Sequence, residues 1–552
     1  MLRTTSSVPP VIYLIAGVPL GAAIDRFYRL RSRQVEEGFL VNGAHDGFRN
    51  ISDWESFRVL GRSMMDDICK YYRDVESHPV RAQVEPGYLR KRLTQLEFPL
   101  QGDKWSDIMA DVKHHIMPGI THWQHPRFFA WYPANSSPPS ILGDLLVGMF
   151  NVIGFSWESS PAATELEVIV LDQLGRAIGL PDAFLSEGEG GGVILGSASE
   201  ATLVAILAAR TRALKHMQRT NQGVGDHELY SKMTLYTSDQ AHSAVQKGAN
   251  IAGLGTNIRI ISTRGSGQSS KDPYALNKDD LMAAMKKDLA RGLTPMFVCA
   301  NVGSTNTCAI DPLRSLAWGC RSYWKEDSSI PGGEHVLLPW LHVDAAYAGS
   351  AAVCPENQWI FDGVEGVDSV MFNPMKWLLT TYECNTMWVK RRALLFDALS
   401  VTPEVVKSKE YERGQVFDFR DWQIPLSRKF RSLKLWLIMR SFGMDKIRDH
   451  IRRHVRLADE FAELVKKDDR FEIVAPPRFG LTCFRLRGSN DANEEIRSRI
   501  NSSGFAFFSS TKLQGQTCLR MCVGCPSTSS RHVQEFWEAV SRTANAVKLE
   551  GL

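Results

Sequence analysis

Between residues 233 and 374 the chain repeats one pattern that leaves few folds open to it. "MTLYTS" (233–238), "IRIIS" (258–262), "MFVCANVG" (296–303), "WLHVDAAY" (340–347) and "SVMFNP" (369–374) are short β-rich runs, mostly separated by segments compatible with helix. A connection long enough to hold a helix returns the chain to the same end of the sheet, so such strands pair in parallel. The expected fold is α/β with a largely parallel sheet. Ligands of these sheets collect at the carboxyl ends of the strands, which makes the polar residues closing each run the place to look for chemistry. No internal repeat is visible.

The flanks differ. Residues 53–75 read as an amphipathic helix, with Phe57, Leu60, Met64, Ile68 and Tyr72 at three- and four-residue steps. The proline-rich stretch 126–140 breaks that reading and suggests an irregular crossing, with a boundary near Ser137. Residues 421–443 read as a long amphipathic helix; another helix follows, then strand-like "FEIVAP", "LTCFRLRG" and "LRMCVG". The expected division is an N-terminal extension over 1–50, a helical segment over 51–137, a large domain over 138–433 and a small α+β domain over 434–552. At 552 residues and 44% apolar composition the chain is long enough for two or three domains.

Several function classes fall away. The 65 basic and 61 acidic residues nearly balance, and no basic run is interleaved with aromatics, so nucleic acid is not an expected partner. The apolar run 11–23 has signal-peptide length but is too short and too broken by proline and glycine to span a membrane. It reads as a targeting segment or an incidental extension, and no other stretch approaches spanning length. The ten cysteines lack the spacing of a disulfide scaffold, which points to a reducing, cytoplasmic setting. "CVGC" (522–525) has no second pair or histidine cluster, so two buried strand cysteines are expected there and no metal.

Four places carry possible chemistry. "FNPMKWLL" (372–379) holds Lys376 between a proline turn and bulky apolar residues. "GGGVILGSASEATLVAILAARTRAL" (190–214) runs from a glycine-rich stretch through a short strand into a helix, with Ser199 as a natural N-cap; Ser197, Ser199 and the helix start could hold an anion. A plain glycine-rich turn into a capped helix would look the same. "HVDAAYAG" (342–349) ends a strand on Asp344, followed by alanines too small to cover it, while His342 is left unassigned. "SDQAHS" (238–243) puts His242 after another strand, as a structural histidine or as a ring able to stack on a planar ligand. An anion-binding helix start, a strand-end aspartate, a stacking histidine and a lysine in an apolar pocket are together the parts that pyridoxal phosphate needs, with Lys376 as Schiff-base partner of its aldehyde. An imine would largely avoid the cost of burying an ammonium.

At these residues the chain resembles the group II pyridoxal-phosphate decarboxylases, most of all the aromatic L-amino acid decarboxylases. The similarity runs from about Trp54 to Ala546 through "VEPGYLR", "IMPGITHWQHPRFFAWYP", "IGFSWESSPAATELE", "GSASEATLVA", "DQAHS", "LHVDAAYAGSA", "FNPMKWLL" and "DWQIPLSRKFRSLK". It implies a type I pyridoxal-phosphate fold and a homodimer with shared sites. By position it implies Lys376 as the Schiff-base lysine, Asp344 as partner of the pyridine nitrogen, and Ala346 and His242 on opposite faces of the ring. Ser197, Ala198, Ser199 and Asn373 match the phosphate region. Trp123, Tyr132, Pro133, Ala134, Ile153 and Phe155 match positions around the substrate side chain, the last two contributed by the other subunit.

The chain departs from the family in three places. Met375 replaces a histidine usual before the lysine, Ala134 replaces a threonine, and the catalytic tyrosine of the mobile loop between Pro403 and Trp422 falls on Val405. Tyr411 or His242 could donate the proton instead. Three readings follow: an aromatic L-amino acid decarboxylase, first for tryptophan and feeding amine or alkaloid synthesis; an oxygen-consuming aromatic aldehyde synthase; and a non-catalytic cofactor-binding interaction protein. Segment 322–340 is longer than usual and reads as a surface loop.

Overall fold

The structure is a computed structural model that describes residues 47–93, 99–264, 272–326, 337–401, 409–414 and 416–550. The apolar run 11–23, Val405 and the middle of the 322–340 segment lie outside these residues. The chain divides into two compact units, one within Met1–Lys70 and Glu85–Pro118, the other within Tyr71–Val84 and Gly119–Leu552. In the first, Asp53 opens the helix Trp54–Asp74 by accepting from the Ser56 N–H at 3.1 Å and the Ser56 hydroxyl at 2.7 Å. Of the apolar positions on this helix, Phe57 and Tyr72 remain exposed, as does Trp54.

The second unit is built on a seven-stranded sheet. Its strands are β2 (Gly191–Leu195), β3 (Met233–Ser238), β4 (Ile258–Ile261), β5 (Thr294–Asn301), β6 (Trp340–Asp344), β7 (Ser369–Phe372) and β8 (Asn385–Val389); β1 (Phe128–Phe129) belongs elsewhere. The order is β2-β8-β7-β6-β5-β3-β4, parallel from β7 to β4, with β8 antiparallel to both neighbours. All five β-rich runs of the sequence become parallel strands. The α/β expectation therefore holds, and β8 is the addition.

Two apolar layers cover the sheet. One packs the helices Ala198–Thr220 and Ala244–Ile251 through residues such as Val204, Ala208 and Val245; the other packs Pro161–Ala177 and Lys278–Leu289 through Leu171, Leu174 and Leu281. Buried on both faces, the strands are nearly continuous in apolar residues, as a parallel sheet requires.

A smaller sheet has the order β1-β11-β12-β10-β9, with β9 (Phe471–Arg478), β10 (Leu481–Leu486), β11 (Phe507–Leu513) and β12 (Gln516–Cys522). β1 comes from the proline-rich crossing and pairs in parallel with Phe507–Phe508, so part of that irregular stretch is a strand of the C-terminal sheet. The expected helix over 421–443 begins later. Residues Phe419–Trp422 make a 3₁₀ turn and the α-helix runs Arg431–Lys466, because Pro425 cannot supply a helical N–H and restrains the residue before it. Gly443 interrupts that helix with φ 66°.

Candidate active site

The register of the large sheet brings the carboxyl ends of β3, β5, β6 and β7 to one edge: Asn301 lies opposite Asp344, and Asp344 opposite Met371. Asp344 closes β6. One of its carboxylate oxygens accepts from the Ala346 N–H at 3.0 Å, and its backbone carbonyl accepts from Val302 at 2.8 Å. The side chain is nearly buried, 8% exposed, and its second carboxylate oxygen has no hydrogen-bond partner among the described residues.

Past the end of β7 the chain turns through Asn373 into the short helix Pro374–Trp377, which carries Lys376. The Asn373 N–H is held by the Ala346 carbonyl at 3.0 Å, and the Lys376 N–H by the Asn373 carbonyl at 2.9 Å. These bonds fix the lysine turn to the turn after Asp344. The Lys376 Nζ lies 5.2 Å from the Tyr132 ring centroid and makes no ion pair or hydrogen bond with a described residue. Burial pushes its pKa down, opposed mainly by Asp344. A less basic amine is the one that attacks an aldehyde.

His242 follows β3, where its Nδ1 accepts from the Ala244 N–H at 3.0 Å at the start of Ala244–Ile251. That bond places any ring proton of the neutral form on Nε2. Burial moves its pKa down, Asp344 moves it back up and Lys376 moves it down. The residue is nonetheless exposed. Asp344, His242 and Lys376 thus form one electrostatic group, brought together from three separate strand ends.

β8 joins the helix start of the glycine-rich stretch to this group. Leu195 at the end of β2 pairs with Asn385, whose side-chain N–H groups reach the Asn373 side-chain oxygen at 2.7 Å and the Phe372 carbonyl at 3.1 Å. Ser197, not Ser199, is the N-cap of Ala198–Thr220, accepting from the Glu200 N–H at 3.3 Å. The expected cap is therefore corrected by two residues: Ser197 is the last residue with extended backbone, while Ser199 already lies in the first turn. Ser199 is exposed, and Ser197 and Ala198 are half-buried.

Tyr132 forms a wall of the site, with its hydroxyl donating to the Ser304 carbonyl at 2.8 Å. Pro133 is buried and Ala134 half-buried, the latter's carbonyl held by Gln124 at 2.6 Å. Trp123 is stacked on Trp131, with ring centroids 5.2 Å apart. Ile153 is exposed and Phe155 half-buried, in a segment tied to Arg420 and Arg428 by backbone bonds of 3.0 and 3.1 Å. Tyr411 gives its hydroxyl to Asp421 at 2.6 Å. Met375 is buried, its sulfur accepting from the Cys384 N–H at 3.3 Å.

Sequence reasoning missed Arg520, Tyr347 and Trp377. Arg520, on β12, is buried; it donates to the carbonyls of Asn306 at 2.9 Å and Thr305 at 2.8 Å, and lies 5.4 Å from the Tyr132 ring centroid. It also helps to lower the pKa of Lys376. No local pattern on a C-terminal strand announces that reach. His342 is a core residue: Trp340 Nε1–H donates to the Ser369 hydroxyl at 2.7 Å, which is 2.7 Å from His342 Nδ1. Cys522 and Cys525 are buried free thiols. Among the described residues no cluster of metal ligands occurs, and no helix is long and apolar enough to cross a membrane.

These groups fit pyridoxal phosphate: an amine of lowered basicity without a counter-ion, a carboxylate oxygen still able to accept, and a capped helix start beside the lysine turn. The family model described as "Pyridoxal-dependent decarboxylase conserved domain" matches residues 86–487. The chain is 44% identical to phenylacetaldehyde synthase of Arabidopsis thaliana over 89% of its length and 96% of that protein's. It is 43% identical to tryptophan decarboxylase 2 of Oryza sativa subsp. japonica, over 93% and 99%. The structure of Oryza sativa TDC with PLP and tryptamine superposes with a TM-score of 0.83 at 38% identity, covering 91% of this chain and 99% of that one. That of Rhodiola rosea 4-hydroxyphenylacetaldehyde synthase gives 0.80 at 37%, covering 90% and 99%.

Proposed function

This chain belongs to the pyridoxal-dependent decarboxylases, as a type I-fold carboxy-lyase of the aromatic amino acid group with pyridoxal phosphate as cofactor, and on that premise we propose that it converts L-tryptophan to tryptamine and carbon dioxide. The observation that carries the reading is the unpaired, less basic Lys376 amine beside Asp344 and His242 at one sheet edge.

Bound pyridoxal phosphate supplies an electron sink for the pair left on Cα when carbon dioxide departs. Lys376 would hold the cofactor through its aldehyde, its less basic amine being the nucleophile the chain offers there. The free oxygen of Asp344 would accept a hydrogen bond from the protonated ring nitrogen, and its negative charge would keep that proton on the ring. Ala346 would offer only a methyl group to one face of the ring, and His242 would stack on the other. Ser197, Ala198, Ser199 and Asn373 would hold the phosphate at the helix start. His242, neutral near pH 7, is placed to move a proton at Cα.

Trp123, Tyr132, Pro133 and Ala134 line the side-chain pocket, and the small Ala134 leaves room for an indole. Ile153 and Phe155 come from a second subunit. The exposed apolar residues Leu142, Leu145, Met149, Phe150 and Ile153 support a homodimer that would cover them. Ten free thiols support a cytoplasmic location, and the amine would suit specialised or alkaloid synthesis.

Val405 favours a second reading, an aromatic aldehyde synthase, in which the amino acid, oxygen and water give aldehyde, carbon dioxide, ammonia and hydrogen peroxide. One assay separates the outcomes: purified protein reconstituted with pyridoxal phosphate and given L-tryptophan, with amine, aldehyde and peroxide followed together. Amine without peroxide supports the decarboxylase, and aldehyde with equimolar peroxide supports the synthase. Better turnover of tyrosine or phenylalanine removes the indole preference, and bound cofactor without turnover of any aromatic amino acid leaves the non-catalytic reading.

A further inference from the structure

A second cavity, of about 690 Å³, has Arg212, His216, Arg219, Arg321, Asp368 and Arg391 in its lining. It lies at the amino ends of β6 and β7, where Leu341 and Asp368 line it. Asp344 and Asn373 close the opposite ends of those strands, roughly 10–16 Å away at ~3.3 Å per residue. The cavity is therefore separate from the cofactor site.

Four arginines and one carboxylate line it, and that carboxylate is already engaged. One Asp368 oxygen accepts from the Leu341 N–H at 2.8 Å, and the other accepts from Arg212 at 3.4 Å. Arg212 also donates to the Leu338 carbonyl at 2.9 Å and lies 5.2 Å from the Trp340 ring centroid, but its buried Nε has no hydrogen-bond partner. Burial pulls the pKa of Arg212 down, Asp368 raises it and the like charge of Arg391 lowers it further. Arg321 reaches the Gly366 carbonyl at 3.3 Å. Among the described residues, Arg219, Arg321 and Arg391 have no carboxylate within ion-pair distance. Neighbouring carboxylates are occupied: Glu365 by Arg314 at 3.0 Å and Asp397 by Lys215 at 2.7 Å.

Converging guanidinium groups in a cavity raise one another's electrostatic energy, and an anion of two or more charges relieves it through forked hydrogen bonds. Leu338, Pro339 and Leu341 give the same cavity an apolar wall. We propose that this cavity binds a small organic anion of the phosphorylated-metabolite class, its phosphoryl oxygens on the arginines and its apolar part on that wall.

The test is calorimetric titration of the holoenzyme, freed of unbound pyridoxal phosphate, with inorganic pyrophosphate as probe. One saturable site per chain is expected, weakened tenfold or more in the double variant Arg321→Gln/Arg391→Gln. Both residues are exposed, so melting temperature and cofactor content should stay as in the parent. Arg219→Gln serves alone if the double variant fails to fold. No saturable binding at millimolar probe overturns the proposal, as does equal affinity in parent and variant. Binding by the apoenzyme but not by the holoenzyme also overturns it, because the anion then sits in the cofactor site.

Discussion

Tyr132 and Tyr347 stack face to face, with ring centroids 3.9 Å apart and planes within 16°. Tyr347 stacks in turn on Trp377, the neighbour of Lys376, at 4.9 Å and 18°, and Trp377 Nε1–H donates to His454 Nδ1 at 2.9 Å. A column of rings thus ties the substrate-side segment, the turn after Asp344 and the lysine turn into one body.

Tyr132→Phe keeps the column and loses one buried hydrogen bond, to Ser304. It should cost about 1 kcal/mol of stability with kcat nearly intact. Tyr132→Ala removes the ring and should cost about 3–5 kcal/mol and raise KM. Denaturant melts and steady-state kinetics on both variants check this, and equal losses in the two would disprove a role for the stacked ring.

Lys376→Ala should lower turnover on the order of 10³-fold or more, since the nucleophile for the aldehyde is gone. Borohydride reduction followed by mass spectrometry should find the cofactor on Lys376 in the parent and nowhere in the variant. Asp344→Asn removes a charge-assisted bond of about 1.5–3 kcal/mol, so kcat should fall roughly 10- to 150-fold.

The Arg428 guanidinium meets Glu167 at 2.5 Å with both side chains buried, and Glu167 also accepts from the Ile194 N–H at 2.7 Å. Removing the carboxylate charge leaves a buried cation without its partner. Glu167→Gln should therefore destabilise by about 3–5 kcal/mol, and because Ile194 lies on β2, weaker cofactor retention should accompany it. A melt unchanged from the parent would show that the pair is dispensable.

Burial holds His122 and His125 down at about 4, and His342 and His450 at about 3, against about 6.5 in an unfolded chain. Neither state binds these protons well above pH 6.5. Below it the unfolded chain takes protons that the folded chain refuses, so stability is lost progressively as pH falls toward the folded values. Asp311, pushed up to about 6 by burial, acts in the opposite sense. With His242, His454 and His532 also lowered, and Asp418 and Asp459 also raised, seven histidines against three carboxylates predict a lower melting temperature at pH 5 than at pH 7.5, and a flat profile would contradict this.

Val405→Tyr places a hydroxyl at the loop position that the family resemblance assigns to a proton-donating tyrosine. If the parent makes peroxide, the variant should make at least tenfold less and correspondingly more amine. Tyr411→Phe should leave the product ratio unchanged, since that hydroxyl is already given to Asp421 at 2.6 Å.

Lys376, Asp344 and His242 were legible in the sequence because each follows an apolar strand run, where a polar residue stands out. Both serines read as candidate anion donors, with the cap expected at Ser199: two serines lie within one turn, and only the extended backbone of Ser197 decides which of them caps. β8 escaped notice because "NTMWV" is short and follows a chemically loaded turn. β11, "FFSSTKL", alternates too weakly to announce a strand. Arg520 and Tyr347 owe their place to the packing of β12 and the turn after β6 against Tyr132, across long separations that no local period encodes.

Among the described residues β2 has a single neighbour in its sheet, and that neighbour, β8, follows about 190 residues later in the register that sets Leu195 opposite Asn385. During synthesis the glycine-rich strand and the helix start beside it must therefore wait, unpaired, until nearly three quarters of the chain has emerged. Contacts of such span form slowly. The corner proposed to hold the phosphate is then among the last parts of the molecule to take shape, and competence to retain the cofactor should lag behind the collapse of the sheet's parallel half.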